Sequence, residues 1–264
     1  YQPIVCLKTG KIAELEALIR WEHPEHGLVL PNEFIEVAEE TGLIIAIGEL
    51  VLEESCRQVR VWQEKYQNLK NLAISVNLSA KQLMHPSLSA QVKEILAKTN
   101  LDPKSLKLEV TESTVMENSD TALQVLKELN RIGVEFSTDD FGTGYSSLSY
   151  LHQFSFKRIK IDRSFVGKMD NDVKSEAIVR TILMLGENLG IEVVAEGIEN
   201  LPQFQQLRSL NCKLGQGYLF SKPANFEFIE KLLKNGLERN VFAEHGFVFS
   251  EVKDNGVIEI ESYQ

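Results

Sequence analysis

Short runs of mostly apolar residues alternate along this chain with longer stretches whose apolar positions recur every three or four residues. The short runs cover residues 2–7, 12–19, 72–78, 106–111, 134–139, 158–162, 192–196 and 214–220. Several are near-continuous Val, Ile, Leu and Ala, as expected of strands buried on both faces. Only Lys8-Thr9-Gly10-Lys11 separates the first two, which predicts an antiparallel hairpin. The longer stretches, 31–41, 43–67, 80–99, 120–131, 174–189, 201–210 and 225–233, predict helices. In 43–67, Leu50, Val51, Val59 and Trp62 make the predicted apolar stripe. Asp120 and Asn225 stand as N-caps, and Gly133 and Gly190 occupy C-cap positions. Strand–helix alternation over eight strands means an α/β fold. Its closed solution at 264 residues is a TIM-like (β/α)8 barrel with one antiparallel strand from the N-terminal β-hairpin. Residues 1–234 form that domain, and the polar stretch 235–264 reads as an appended C-terminal tail with the makings of a small hairpin.

Composition then excludes several functions. With 28 Lys and Arg against 38 Asp and Glu, the formal net charge is −10, which argues against a DNA or RNA binder. A 43% hydrophobic and 25% charged chain is globular rather than disordered. No apolar run approaches the ~18 residues of a membrane span, so no direct membrane insertion is expected. Cys6, Cys56 and Cys212 are odd in number and lack a C-x-x-C spacing. They point to a reducing, cytoplasmic setting without a disulfide frame or zinc site. The start at Tyr1, with no signal-peptide pattern, predicts a segment cut from a longer protein whose anchor or sensor lies elsewhere.

The candidate chemistry lies at strand ends. Glu16 falls toward the end of the second predicted strand, Asn77 at the end of the third and Glu109 in the fourth. Asp139 and Asp140 close the fifth, Lys160 lies in the sixth, Glu196 ends the seventh and Gln216 follows in the eighth. In a barrel these ends converge on the rim where catalytic residues gather. One acidic residue at a strand end is ordinarily a turn former; a polar group at the same end of seven strands is a pattern. Five carboxylates in one concave site repel one another, and two divalent cations together with Lys160 neutralise them. All-oxygen ligands favour Mg²⁺ or Mn²⁺ over zinc. Two such ions are the usual clamp for in-line attack on a phosphodiester. The competing reading, pairing with surface Lys and Arg, needs basic partners at the same rim, and these strand ends offer few.

These residues sit in motifs that closely resemble the EAL domain, the bacterial phosphodiesterase of cyclic di-GMP. Tyr1-Gln2-Pro3-Ile4-Val5 precedes Glu16-Ala17-Leu18-Ile19-Arg20-Trp21, and Pro31-Asn32-Glu33-Phe34-Ile35 and Ala38-Glu39-Glu40-Thr41-Gly42 follow. Then come Val76-Asn77-Leu78-Ser79, Leu108-Glu109-Val110-Thr111-Glu112 and the most specific piece, Asp139-Asp140-Phe141-Gly142-Thr143-Gly144-Tyr145-Ser146-Ser147-Leu148. Ile159-Lys160-Ile161-Asp162, Val194-Ala195-Glu196-Gly197-Ile198-Glu199 and Gly215-Gln216-Gly217-Tyr218 complete an ordered match from residue 1 to about 234.

The resemblance implies two Mg²⁺ or Mn²⁺ ions and hydrolysis of cyclic di-GMP to linear 5′-pGpG, lowering the level of a bacterial second messenger. By motif, Glu16, Asn77, Glu109 and Asp139 would hold one ion, and Asp139, Asp140 and Glu196 would serve the other, directly or through water. Lys160 would position or deprotonate the attacking water, and Glu112 would brace the loop that begins at Asp140. Gln2, Leu18, Arg20, Pro31, Asp162 and Gln216 would contact substrate. A guanidinium at Arg20 suits a phosphate oxygen, though a salt bridge to Glu22 or another neighbour is an equal alternative. The resemblance also implies a homodimer involving the loop 140–148 and the helix after it, although the apolar residues there (Leu148, Tyr150, Leu151, Phe154) suit a place against the barrel equally well, and it implies fusion to or regulation by a sensor or cyclase domain.

Other signals are discarded. Asp140-Phe141-Gly142 spells the kinase Mg²⁺ motif without a kinase catalytic loop, and the glycines of 141–144 lack a following Gly-Lys-Ser/Thr. His23, His26, His85, His152 and His245 show no metal-ligand spacing, and Cys212 reads as buried filler. A catalytically silent receptor is the alternative to an enzyme. It predicts substitutions among the ligand residues, yet all are present; Thr138, where an aliphatic residue is more usual, is the variation.

Overall fold

The computed structural model describes residues 1–117, 119–143, 151, 154–235, 237, 247–249 and 260–262. In chain order, β1 (Gln2–Cys6) and β2 (Ile12–Ala17) precede β3 (Trp21–His23), β4 (Gly27–Val29), α1 (Pro31–Thr41), α2 (Ile44–Lys65) and β5 (Ala73–Asn77). Next come α3 (Ala80–Leu83), α4 (Leu88–Thr99), β6 (Leu106–Thr111), α5 (Glu112–Glu117), α6 (Ser119–Arg131) and β7 (Glu135–Phe141). The remainder is β8 (Arg158–Ile161), α7 (Arg163–Val166), α8 (Val173–Leu189), β9 (Glu192–Ala195), α9 (Leu201–Ser209) and β10 (Leu214–Gly215). After these follow α10 (Phe226–Asn235), β11 (Phe247–Phe249) and β12 (Ile260–Ser262).

The sheet closes in the order β1-β10-β9-β8-β7-β6-β5-β2. The pairs β5–β6, β6–β7, β8–β9 and β9–β10 are parallel, whereas β1 runs antiparallel to β10. The predicted barrel with one odd strand is therefore present. Its hairpin turn is tied by the Cys6 amide, which donates to Lys11 O at 2.9 Å, and by Gly10, whose amide donates to Cys6 O at 2.8 Å. Within the tail, β11 pairs with β12 antiparallel. Among the described residues no helix is long and apolar enough to cross a membrane.

The chain divides into two compact units. One comprises Glu16–Asp139 and the residues leading to Lys157. Here α2 buries Ile44, Leu52, Cys56, Val59 and Trp62, and it packs on β5 and α4. Each large apolar side chain so removed from water contributes roughly 1.5–3 kcal/mol. The buried Gln63 amide is satisfied by Leu72 O at 2.8 Å. Pro31 opens α1, where its missing N–H costs nothing.

The other unit comprises Tyr1–Leu15, Asp140–Thr143 and the chain from Arg158 onward. Ile4, Val194 and Leu214 form a buried cluster there. Asp172 caps α8 by accepting from the amides of Lys174 and Ser175 at 3.2 and 3.1 Å, and Asn225 caps α10 through the Phe228 amide at 3.1 Å. Gly190 ends α8 in the left-handed conformation, as its position predicted.

Several expectations are corrected. Leu50 is 70% exposed, so it is not part of the buried stripe of α2. The predicted helix 80–99 is two helices, α3 and α4, with Pro86 between them, because proline cannot continue the hydrogen-bond ladder. Helix α6 begins at Ser119, which puts Asp120 inside it rather than at its cap. The eighth barrel strand stops at Gly215 and not at residue 220. The β3–β4 hairpin, α5 and α7 were not predicted.

Candidate functional site

The predicted strand-end residues lie in the C-terminal half of their strands or just beyond: Glu16, Glu109, Asp139, Asp140 and Lys160 within them, Asn77 at the last position, and Glu196 and Gln216 one residue past. In the first-described unit Asn77 is level with Glu109, and Thr111 with Asp139. Glu109 is fully buried and Glu16 nearly so. Asn77 Nδ2 donates to Glu16 Oε1 at 2.8 Å, leaving the amide oxygen of Asn77 as a neutral donor beside two carboxylates. Glu112 follows directly as the first residue of α5.

In the other unit Lys160 is level with Val194 and Ile161 with Ala195, so Glu196 emerges one residue past β9. Lys160 is 1% exposed, and its Nζ lies 2.7 Å from Glu196 Oε1. The backbone around Glu196 is tightly tied. Its amide donates to Ile161 O at 3.2 Å, the Ile198 amide to Gln216 O at 3.0 Å, and the Leu219 amide to Ile198 O at 2.9 Å. Gly197 has φ +69°, and a Cβ there would lie 2.5 Å from Arg163 Cβ; a Cβ on Gly217 would lie 2.1 Å from Ile198 O. Only glycine permits both approaches.

Asp139 and Asp140 are chain neighbours on β7, and successive strand residues ordinarily face opposite sides. Asp140 breaks this alternation with φ +53°, a left-handed conformation that Asp tolerates better than most residues. Asp139, Asp140 and Glu196 each offer a carboxylate oxygen, and these lie within 4.8 Å of one another. Oxygens about 2.1 Å from one Mg²⁺ stand at most about 4.2 Å apart, so small side-chain rotations close this cluster on an ion. The all-oxygen donor set fits a hard divalent cation.

The residues predicted to contact substrate are less uniform. Gln2 and Gln216 are buried together: Gln216 Nε2 donates to Gln2 Oε1 at 2.9 Å, and Gln2 Nε2 to Ser221 O at 3.0 Å. Leu18 and Pro31 are half-buried. Arg20 turns Nη1 onto Ile19 O at 2.8 Å, and among the described residues it forms no ion pair with Glu22. The Asp162 carboxylate caps α7 by accepting from the Ser164 amide at 3.0 Å. Residues 144–150 of the predicted dimer loop lie outside the described residues, while Leu151 and Phe154 are buried. Cys212 is buried, and burial pushes its thiol up to about 12.

A buried ion group beneath Lys160 was missed. Arg158 Nη1 donates to Glu14 Oε2 at 2.6 Å and Nη2 to Glu192 Oε2 at 2.9 Å. Burial works against the charge of Arg158, but Glu14 and then Glu192 outweigh it and raise the guanidinium further above its ordinary value. The one sequence signal was Glu14, two residues before Glu16 and hence on the same strand face.

The model of the EAL domain matches residues 1–223. The chain is 46% identical over 223 residues to the bifunctional diguanylate cyclase/cyclic di-GMP phosphodiesterase MucR of Pseudomonas aeruginosa, covering 84% of this chain and 32% of that protein. It is 38% identical over 239 residues to the cyclic di-GMP phosphodiesterase PdeR of Escherichia coli, covering 90% of this chain and 36% of that one. The chain thus spans about a third of the length of these curated relatives. Among solved structures, the MucR phosphodiesterase in complex with c-di-GMP superposes with TM-score 0.83 at 45% identity, over 87% of this chain and 92% of that one. The EAL enzyme Bd1971, bound to cAMP and cyclic di-GMP, gives TM-score 0.85 at 38% identity, over 88% of this chain and 63% of that one. With a matched barrel and every strand-end ligand position filled, this chain belongs to the EAL domain family.

Proposed function

We propose that this chain is a metal-dependent phosphodiesterase that hydrolyses cyclic di-GMP to linear 5′-pGpG. The observation that carries the reading is the cluster of Asp139, Asp140 and Glu196 with Lys160 bonded to Glu196, in a family whose similar members are named for this activity. Residues 1–234 make up the catalytic domain, with 235–264 as an appended tail. Glu16, Asn77, Glu109 and Asp139 hold one divalent cation, Mg²⁺ or Mn²⁺, and Asp139, Asp140 and Glu196 hold a second. When bound, such ions stabilise phosphoryl charge and acidify water.

The chain's own groups do the rest. Lys160 Nζ positions the attacking water or takes its proton, and Glu196, 2.7 Å away, shares that proton. Water oxygen bonds to phosphorus as the bond to the ribose O3′ breaks, which leaves a 5′-phosphate, and the departing O3′ takes up a proton from solvent to become a 3′-hydroxyl. Glu112 braces the loop beginning at Asp140. Arg20 reaches a phosphate oxygen once released from Ile19 O, and Gln2, Leu18, Pro31, Asp162 and Gln216 complete the substrate contacts. The burial of Gln2 and Gln216 means that the nucleotide must exchange with their mutual hydrogen bond. The domain works in the cytoplasm as a two-fold dimer, within a longer protein carrying a sensor or cyclase domain.

Incubating the purified chain with cyclic di-GMP and Mg²⁺ or Mn²⁺, followed by chromatography, tests the reading. Accumulation of pGpG that EDTA prevents is expected. Nucleotide that binds but stays intact with either ion would overturn it in favour of a receptor.

A further inference from the structure

We propose that Arg158 is a positioning residue for this site, a clamp that sets the strands delivering Lys160 and Glu196; the inference rests on the phosphodiesterase reading. Alternate residues of a strand share a face. Arg158 stands two residues before Lys160 on β8. Of its two carboxylate partners, Glu14 stands two residues before Glu16 on β2, and Glu192 is the first residue of β9, four before Glu196 just past that strand. Glu14 therefore shares a strand and a face with Glu16, and Glu192 opens the strand that delivers Glu196.

The geometry pins β8 to β9 at two levels. Arg158 is level with Glu192 and bonded to it at 2.9 Å, and Lys160 is bonded to Glu196 at 2.7 Å. A slip of one residue would turn Lys160 to the other face. The Arg158 and Glu14 side chains are 4% and 2% exposed. A pair so buried is often no more stabilising than an apolar replacement, so its distinctive effect is geometric. A guanidinium fork can serve two carboxylates on two strands at fixed angles, which a single ammonium cannot reproduce.

The test compares wild type with R158K and R158M. It reads Mn²⁺ binding by isothermal titration, kcat and KM for cyclic di-GMP, and thermal melting, all well below each variant's melting temperature. R158M should bind Mn²⁺ at least ten-fold more weakly and lose a similar factor in kcat, with KM within about three-fold. R158K should fall between it and wild type. Should R158M not fold, E192Q removes the partly exposed partner and should weaken Mn²⁺ binding about three-fold. Folded variants with wild-type Mn²⁺ affinity and kcat, however low their melting temperature, would reduce Arg158 to a stabilising residue and overturn the proposal. A wild type that binds Mn²⁺ but leaves cyclic di-GMP intact counts against the phosphodiesterase reading, while the titration still reads the clamp.

Discussion

Replacing Lys160 by Met separates the two tasks its ammonium performs. The substitution keeps most of the stem and deletes the charge, which sits 2.7 Å from Glu196 Oε1 on a side chain 1% exposed. At an effective dielectric of ~20 the attraction at that distance is ~6 kcal/mol, most of it cancelled by desolvation of the two ions. Breaking a fully buried pair costs ~3–5 kcal/mol because the remaining charge loses its partner. Glu196 is 17% exposed, so water recovers part of this; a loss of ~2–3 kcal/mol is expected. For a domain of this size that lowers Tm by ~5–10 °C. Losing a proton-handling group lowers turnover by ~10²–10⁴-fold, or ~3–5 kcal/mol in the barrier. Excess Mn²⁺ should return much of the lost Tm, because a cation gives Glu196 a new counter-charge, and should leave kcat low. Differential scanning fluorimetry with and without Mn²⁺, alongside steady-state kinetics on cyclic di-GMP, measures both. A kcat within ten-fold of wild type would refute the catalytic role, and a rise in KM at unchanged kcat would make Lys160 a phosphate anchor instead.

Asp139→Asn should abolish hydrolysis and weaken Mn²⁺ binding while the circular dichroism spectrum stays unchanged; activity within a few-fold of wild type would refute the shared-ligand assignment. Burial pushes the thiols of Cys56 and Cys212 up to about 12, so iodoacetamide at pH 8 should label Cys6 alone in the native protein and all three in urea, as read by intact mass. The carboxyl of Asp172 is held below its ordinary value of 3.8 by the Ser175 hydroxyl and the amides it caps. A lowered folded-state value gives stability that is full above the unfolded value and is lost as pH falls through the folded one. Asp172→Ala should therefore melt lower than wild type at pH 7, and the gap should close below about pH 4; a gap independent of pH would show that charge plays no part in the cap.

The barrel was legible because its signals are local. A four-residue polar turn with Gly10 forces the first two strands into a hairpin, and the buried strands read as unbroken apolar runs. The failures occur where tertiary context outweighs pattern. Leu50 lies on an apolar stripe yet stays 70% exposed, because α2 packs on β5 and α4 through Leu52, Cys56, Val59 and Trp62 instead. The β3–β4 hairpin has three residues per strand, and α7 has four in all. Elements so short leave no periodicity to read.

The site was legible to the extent that it obeys strand alternation. Glu16, Asn77, Glu109, Asp139, Lys160 and Glu196 could be placed because each falls toward or just past the C-terminal end of a strand that its apolar run marks in the sequence. The same alternation, followed one step further down β2 and β8 and two steps back along β9, leads to Glu14, Arg158 and Glu192. Recognising them as one group requires knowing which strands the closed sheet brings level, and spacing along the sequence does not give that. Asp140 is the opposite case. Alternation would send its carboxylate away from that of Asp139, yet both belong to the same three-carboxylate cluster. The departure is confined to one backbone angle, φ +53° at Asp140, with the Thr143 hydroxyl donating to Asp140 O at 2.8 Å just beyond it. Strand periodicity supplies one inward carboxylate per strand, and the left-handed turn at Asp140 adds a second from the same strand. That turn is what allows a single strand to bring two adjacent acids to the cluster completed by Glu196.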